Sequence, residues 1–154
     1  MMRGVFRHTF PDAISTVRNF RPYIDPITTN YCLCYGLRME MELRTFKDMQ
    51  YVANDPHPEW RAYAKAASEL LKRYPDLLLK GDYHCDADLC AANPELHHGR
   101  FTCENGECIV LWNDTDKELP VNLAGRTASR WESPKASGDG VPATIAPSSL
   151  IILF

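Results

Sequence analysis

The side chains with the most obvious capacity for chemistry are the cysteines and their histidine neighbours. Six cysteines stand as Cys32 and Cys34, Cys85 and Cys90, then Cys103 and Cys108, with His84, His97 and His98 close to the second and third pairs. Two Cys-x4-Cys pairs and these imidazoles could supply four zinc ligands, but structural zinc knuckles most often hold their pairs two residues apart. A cross-strand disulfide between Cys103 and Cys108 fits better, because that pair is expected at a non-hydrogen-bonded position where side chains approach most closely. Separate reduced thiols, acting as small apolar side chains, fit best in a protein made in the cytosol. No metal site and no cofactor are therefore assigned. A P-loop, a dinucleotide fingerprint, a metal-protease motif and internal repeats are all lacking.

The carboxylates are less decisive. Glu40 and Glu42 are the most tempting pair, yet on a helix residues two apart point about 200° from one another and cannot flank one bond. On a strand they would share a face, but two neighbours on one element are more often a solvated edge than an acid and a nucleophile. Arg7, His8, Asp12 and Arg18 form a second group, beside the end of an apolar segment around Val5, Phe6 and Phe10. Parallel barrels place binding residues at such strand ends, whereas the plain alternative is a solvated segment with ordinary surface charges. Trp131, next to the loop Glu132–Val141, is the one aromatic placed for ligand contact, its alternative being a core residue at a strand end.

Charge and hydropathy exclude several classes. The 154 residues carry 17 Lys plus Arg and 20 Asp plus Glu, a formal net charge of −3, with no basic run, so nucleic acid is not an expected partner. The first residues contain no apolar run long enough for a signal-peptide core, and the terminal Leu150–Phe154 is too short to span a bilayer. A soluble chain without a membrane partner is expected.

The elements that must position these groups follow from periodicity. A short buried strand and its loop are expected in residues 1–20, and a loop over 21–30 whose last residues cap a helix. Tyr31–Met49 reads as a helix with two apolar stripes, buried against more than one neighbour; Met39 to Leu43 also alternates with period two, and Gly36 interrupts. Pro58 opens the clearest helix, where Trp60, Tyr63, Ala64, Ala67, Leu70, Leu71 and Tyr74 form one stripe that Pro75 ends. Leu77–Tyr83 reads as extended, Cys85–Gly99 as a turn-rich connection, Leu119–Leu123 and Thr127–Trp131 as short segments around a turn at Gly125. Glu132–Val141 reads as loop and Leu150–Phe154 as a last strand.

Between them, Arg100–Glu104 and Glu107–Trp112 read as a β-hairpin about Asn105-Gly106, the dipeptide of two-residue type I′ turns. That turn predicts Glu104 opposite Glu107, Cys103 opposite Cys108 and Phe101 opposite Val110. Phe101, Cys103, Cys108, Val110 and Trp112 then share one face, with Ile109 and Leu111 on the other, partly covered as in a sandwich. Asn113–Asp116 reads as an exposed turn.

This order of parts resembles the C-terminal part of large glycoside-hydrolase-like proteins. The resemblance rests on a strand with FRHTFPD, a helix with YGLRMEMELR, a helix ending LLKRYPDLLLKGDY, a hairpin with IVLWNDTD and a closing APSSLIILF. It implies an α+β chain: residues 1–76 as the last strand and two helices of a TIM barrel, and 77–154 as an antiparallel β-sandwich. It also implies an accessory module that is not catalytic alone, because the barrel strands that carry both catalytic carboxylates in related glycosidases are absent from this sequence. Arg7, His8, Asp12, Arg18 and Trp131 are then the residues to test against carbohydrate, and the partners are carbohydrate, a missing barrel portion or a second copy. The alternatives are a stand-alone carbohydrate-binding or structural sandwich and a small Cys/His metal-binding interaction protein.

Overall fold

The chain is described by a computed structural model at residues 16–19, 25–41 and 57–154. Arg7, His8 and Asp12, the expected strand around Val5–Phe10, and the expected helical residues beyond Met41 lie outside these.

The first helix, α1 (Pro26–Cys34), starts earlier than the sequence suggested. Asp25 is its N-cap, accepting a hydrogen bond at 2.7 Å from the Thr28 amide, and Pro26 occupies the first turn, where its missing N–H costs nothing. Asp-Pro is thus the start signal, and Thr28 to Asn30 lie inside the helix rather than before it. The helix also stops early. The Leu37 amide donates to Cys32 O at 2.8 Å and the Gly36 amide to Leu33 O at 3.4 Å, with Gly36 at φ +60°, the double hydrogen bond of a Schellman cap.

Beyond that cap the backbone is extended. Strand β1 (Thr16–Asn19) pairs in parallel with β2 (Arg38–Met41), Thr16 beside Arg38 and Arg18 beside Glu40. Over 35–41 the expected helix Tyr31–Met49 is therefore replaced by the cap and β2, while its remainder lies outside the described residues. Good helix formers at Met39 to Met41 do not outweigh a left-handed glycine that ends the helix before they are reached, and the period-two alternation is that of the strand.

Helix α2 (Pro58–Arg73) agrees with its periodicity: Tyr63, Ala64, Ala67, Leu70 and Leu71 are buried, and Pro75 ends it by forcing Tyr74 out of helical geometry. Pro75 then opens a single turn, α3 (Pro75–Leu78), which takes in the first two residues of the expected extended run Leu77–Tyr83. Six strands form one antiparallel sheet: β3 (Asp82–His84), β4 (His97–Cys103), β5 (Gly106–Asn113), β7 (Arg130–Glu132), β8 (Ser137–Asp139) and β10 (Ser149–Leu153), in spatial order β3-β4-β5-β10-β7-β8. Strands β6 (Leu119–Pro120) and β9 (Thr144–Ile145) make a separate pair. Helix α4 (Ala87–Ala92) and β4 occupy much of the expected turn-rich connection Cys85–Gly99, and β8 lies in the expected loop Glu132–Val141. The architecture is α+β.

Alternation decides what covers each face. Phe101, Cys108, Val110, Trp112, Leu150 and Ile152 point to one side, where Leu33 and Cys34 of α1, Ala67, Leu70 and Leu71 of α2 and Leu78 of α3 close the core. Ile109, Leu111, Ile151 and Leu153 point to the other, packed with Leu89 of α4, Leu119, Leu123 and Ile145. The second layer is thus a helical turn, a two-stranded pair and loops.

The hairpin forms, but two residues out of the expected register. Phe101 pairs with Cys108, Thr102 with Glu107 and Cys103 with Gly106, so Glu104 and Asn105 make the turn. Gly106, at φ +147°, takes the positive-φ position while Asn105 does not, so the I′ turn is not the one used. A shift of two leaves every side chain on its expected face, since side chains alternate with period two. It does separate Cys103 from Cys108, which become diagonal neighbours, and none of the six cysteines is in a disulfide. Asn113 is another departure, being fully buried: it donates to Ile145 O at 3.0 Å and Lys117 O at 2.8 Å and accepts from the Thr115 amide at 3.0 Å. Asp114 and Asp116 keep the exposed part of that turn.

Leu70 is 4% exposed at the centre of the helix-to-sheet contact. Leu70→Ala is expected to lower unfolding free energy by about 2–5 kcal/mol, as for other large-to-small core changes. Chemical denaturation measures this; a loss under about half a kcal/mol would mean the α2 stripe is not docked on the sheet.

Candidate functional site

A cleft of about 360 Å³ opens between the C-terminal half of α2 and the β7–β8 turn. Ala66, Glu69, Leu70 and Arg73 line one wall, at the three- and four-residue spacings that put them on one helix face. Glu132, Ser133, Pro134, Ala136 and Ser137 line the other. The turn is held by its own serine: Ser133 Oγ accepts from the Ala136 amide at 2.9 Å, and the Ser133 amide donates to Ala136 O at 2.8 Å. Alanines at 66 and 136 leave the space between the walls unfilled.

At the inner end Glu132 places a nearly buried carboxylate, its side chain 11% exposed. Arg73 Nη1 donates to Oε2 at 2.6 Å, the Tyr74 hydroxyl donates to Oε1, and Arg130 Nε lies 3.5 Å from Oε1. Arg130 in turn donates to the Tyr74 hydroxyl at 3.2 Å and its guanidinium lies 4.4 Å from the Phe154 ring centroid. A carboxylate engaged by two guanidiniums and a phenol is satisfied where it stands. It anchors α2 to β7 and presents a fixed acceptor; it is a poor general base. Two guanidiniums against one carboxylate leave one positive charge over, and Arg73 is the more exposed of the two, at 58%.

A second polar cluster joins α1 to the sheet. Tyr35, the C-cap of α1, has its hydroxyl 3.3 Å from His97 Nδ1, and His97 Nε2 is 2.9 Å from Asp114 Oδ2. The imidazole stacks on Trp112 with centroids 4.5 Å apart, and Tyr31 meets Trp112 edge-on. Burial pushes the Tyr35 phenol well above its ordinary pKa, so it remains a donor. His97 thus bridges the phenol at Nδ1 and the Asp114 carboxylate at Nε2. The order resembles a nucleophile-base-acid relay, but a phenol held protonated is no nucleophile, and the chain of hydrogen bonds ties the helix end to β4 and to the turn after β5.

Of the residues singled out by sequence, Arg18 and Trp131 are described, and neither belongs to these two clusters. Arg7, His8 and Asp12 lie outside the described residues. Arg18 is on β1 beside Glu40, in the parallel pair. Trp131 is half-buried on β7, packed on the second core and lying over Gly138, where a Cβ would come within 2.7 Å of its Nε1.

The Cys/His set is divided by the sheet. His84 and His98 lie on one face, with His84 Nε2 2.9 Å from Thr102 Oγ1, while Cys103 and Cys108 lie on the other. Among the described residues no group of three or more His, Cys, Asp and Glu side chains is arranged to hold a metal ion. Nor is any helix among them long and apolar enough to cross a membrane.

The Glu132 cluster escaped sequence reasoning because Arg73 and Glu132 lie 59 positions apart. Arg73 is absent from the apolar stripe of α2, and Glu132 falls in the expected loop Glu132–Val141. The alternation of Arg130 and Glu132 was the one local hint. No protein-family model matches this chain, and no curated protein matches it.

His98 supplies a pH dependence. It is 7% exposed on β4, its Nε2 has no hydrogen-bond partner among the described residues, and burial holds its pKa below the ordinary value against the opposing pull of Asp86 and Asp88. Well above about pH 6.5 the imidazole is neutral in both folded and unfolded chains and contributes no pH dependence. As pH falls through that value the unfolded chain takes up a proton that the folded chain resists, so stability decreases until the folded pKa is passed. Denaturation midpoints measured between pH 7.5 and 5 should fall, and the fall should be smaller in His98→Phe. An identical fall in wild type and variant would assign the effect elsewhere.

Proposed function

We propose that this chain combines the closing β/α units of a parallel barrel with a C-terminal accessory sheet, in a carbohydrate-active, glycoside-hydrolase-like protein, and that it supports and binds rather than catalyses. The observation that carries the reading is the order β1-α1-β2 followed by α2. Two neighbouring parallel strands are joined through a helix, as in successive units of a barrel, and both helices continue onto the antiparallel sheet. Parallel strands are found almost solely in sheets covered on both faces, so a four-residue parallel pair is best understood as part of a larger sheet, completed by a barrel portion or a second copy.

The absence of catalysis is inferred from the candidate sites. The Glu132 carboxylate is committed to Arg73 and Tyr74, and the Tyr35 phenol is held protonated. Neither cluster offers the two carboxylates about 5–5.5 Å or 6.5–9.5 Å apart that glycoside hydrolysis requires.

The test is a panel of aryl glycosides and, in parallel, electrophoresis of the native chain through gels containing soluble polysaccharides. No turnover is expected, with retarded migration in at least one polysaccharide. Turnover abolished by Asp12→Ala or Glu40→Gln would overturn the non-catalytic assignment, and unretarded migration throughout would overturn the binding one.

A further inference from the structure

We propose that the cleft between α2 and the β7–β8 turn is a binding site for the carboxylate of a sugar acid, a uronic acid unit. The carboxylate is argued from charge in the cleft itself. Arg73 uses Nη1 on Glu132, and its other N–H groups meet no acceptor among the described residues. Arg130 shares Glu132 with Arg73, and Glu69 is paired with Lys72 at 2.9 Å, so the two guanidiniums exceed the one carboxylate between them and the outer edge of Arg73 faces the cleft. A guanidinium fork prefers a planar carboxylate, which it grips through two parallel hydrogen bonds.

The rest of the lining suits a sugar ring. Pro134 and Ala136 offer apolar contact to ring C–H groups, and the Ser137 hydroxyl, with no partner among the described residues, is open to a ring hydroxyl. Glu69 stands at the rim as a further acceptor. The volume, about 360 Å³, lies at the lower end of the range for small-molecule sites, about 300–1,000 Å³, and admits one pyranose unit rather than a long chain. The sugar part of the proposal rests on the carbohydrate reading above; the carboxylate part does not.

The experiment is ligand-observed NMR titration of the full chain with sodium galacturonate and, separately, with galactose. Galacturonate should saturate with an apparent Kd at least tenfold below that of galactose. Ala66→Phe, which fills the cleft from a helical position and leaves the Arg73–Glu132 pair intact, should abolish the galacturonate signal without shifting the thermal midpoint by more than a few degrees. Arg73→Gln, which keeps a donor for Glu132 but removes the charge, should weaken galacturonate tenfold and leave galactose unchanged. Equal affinity for the two sugars, failure of galacturonate to saturate, or undiminished binding by Ala66→Phe would overturn the site. Retention by neutral polysaccharides without galacturonate binding would overturn this site alone and leave the accessory-module reading standing. Galacturonate binding with no polysaccharide retained would support the site and count against that module.

Discussion

The end of α1 meets the sheet at backbone distance, and glycine is required on both sides of the contact. A Cβ on Gly99 of β4 would stand 2.3 Å from Cys34 O, and one on Gly36 would stand 2.7 Å from the Phe101 ring and 2.8 Å from Leu78 O. Gly36 meets a second requirement, because its φ of +60° is strained for other residues. One glycine therefore ends α1, turns the chain into β2 and lets the helix end lie on Phe101. Cys32, Leu33 and Cys34 are fully buried at this junction. The two-stranded parallel pair, the helices and the antiparallel sheet all depend on it.

Polar anchors reinforce the same joint from different sides. The Tyr35–His97–Asp114 chain ties the helix cap to the first residue of β4, and the buried Tyr63 hydroxyl donates to Asn30 Oδ1 at 2.6 Å, joining α2 to α1. At the opposite edge of the sheet, Glu132 with Arg73, Tyr74 and Arg130 fixes the C-terminal end of α2 to β7. Such groups are costly to bury unless they are satisfied, so each specifies one docking geometry among the many that an apolar stripe would tolerate. The cleft exists because α2 is pinned to the sheet at Glu132 while small side chains at 66 and 136 leave the space between the walls empty.

The second face of the sheet has a different composition. Asp86 is bound by Arg100 and Arg126, and the guanidinium of Arg100 holds its carboxyl below the usual carboxylate range. Arg126 also reaches Asp88, so the α4 turn is tied to β4 and to the loop after β6 by charge as well as by Leu89. Exposed pairs of this kind contribute little individually, but a shared, partly buried set around one carboxylate fixes the turn over the apolar face.

Local pattern was enough for some elements. The apolar stripe from Trp60 to Tyr74 with prolines at both ends determines α2, because a helix period and two prolines act within a few residues. Alternation from Phe101 to Trp112 and Leu150 to Phe154 determines which residues face which core, and that assignment survives a register change of two. Asp25-Pro26 and Gly36 also carried the bounds of α1, although the helix-forming residues after Gly36 obscured them.

Tertiary structure decided the rest, for a common reason: energies that are nearly equal locally are separated by contacts between distant residues. Asn105-Gly106 permits more than one two-residue turn, and the choice that places Cys103 opposite Gly106 belongs to the strands on either side, β3 and β10, which the hairpin must match. Met39–Met41 suits helix or strand by composition, and pairing with β1 selects the strand. The Glu132 cluster and its cleft join positions 66–74 to 130–137, a proximity created by folding α2 across the sheet, for which a linear sequence holds no periodic signal.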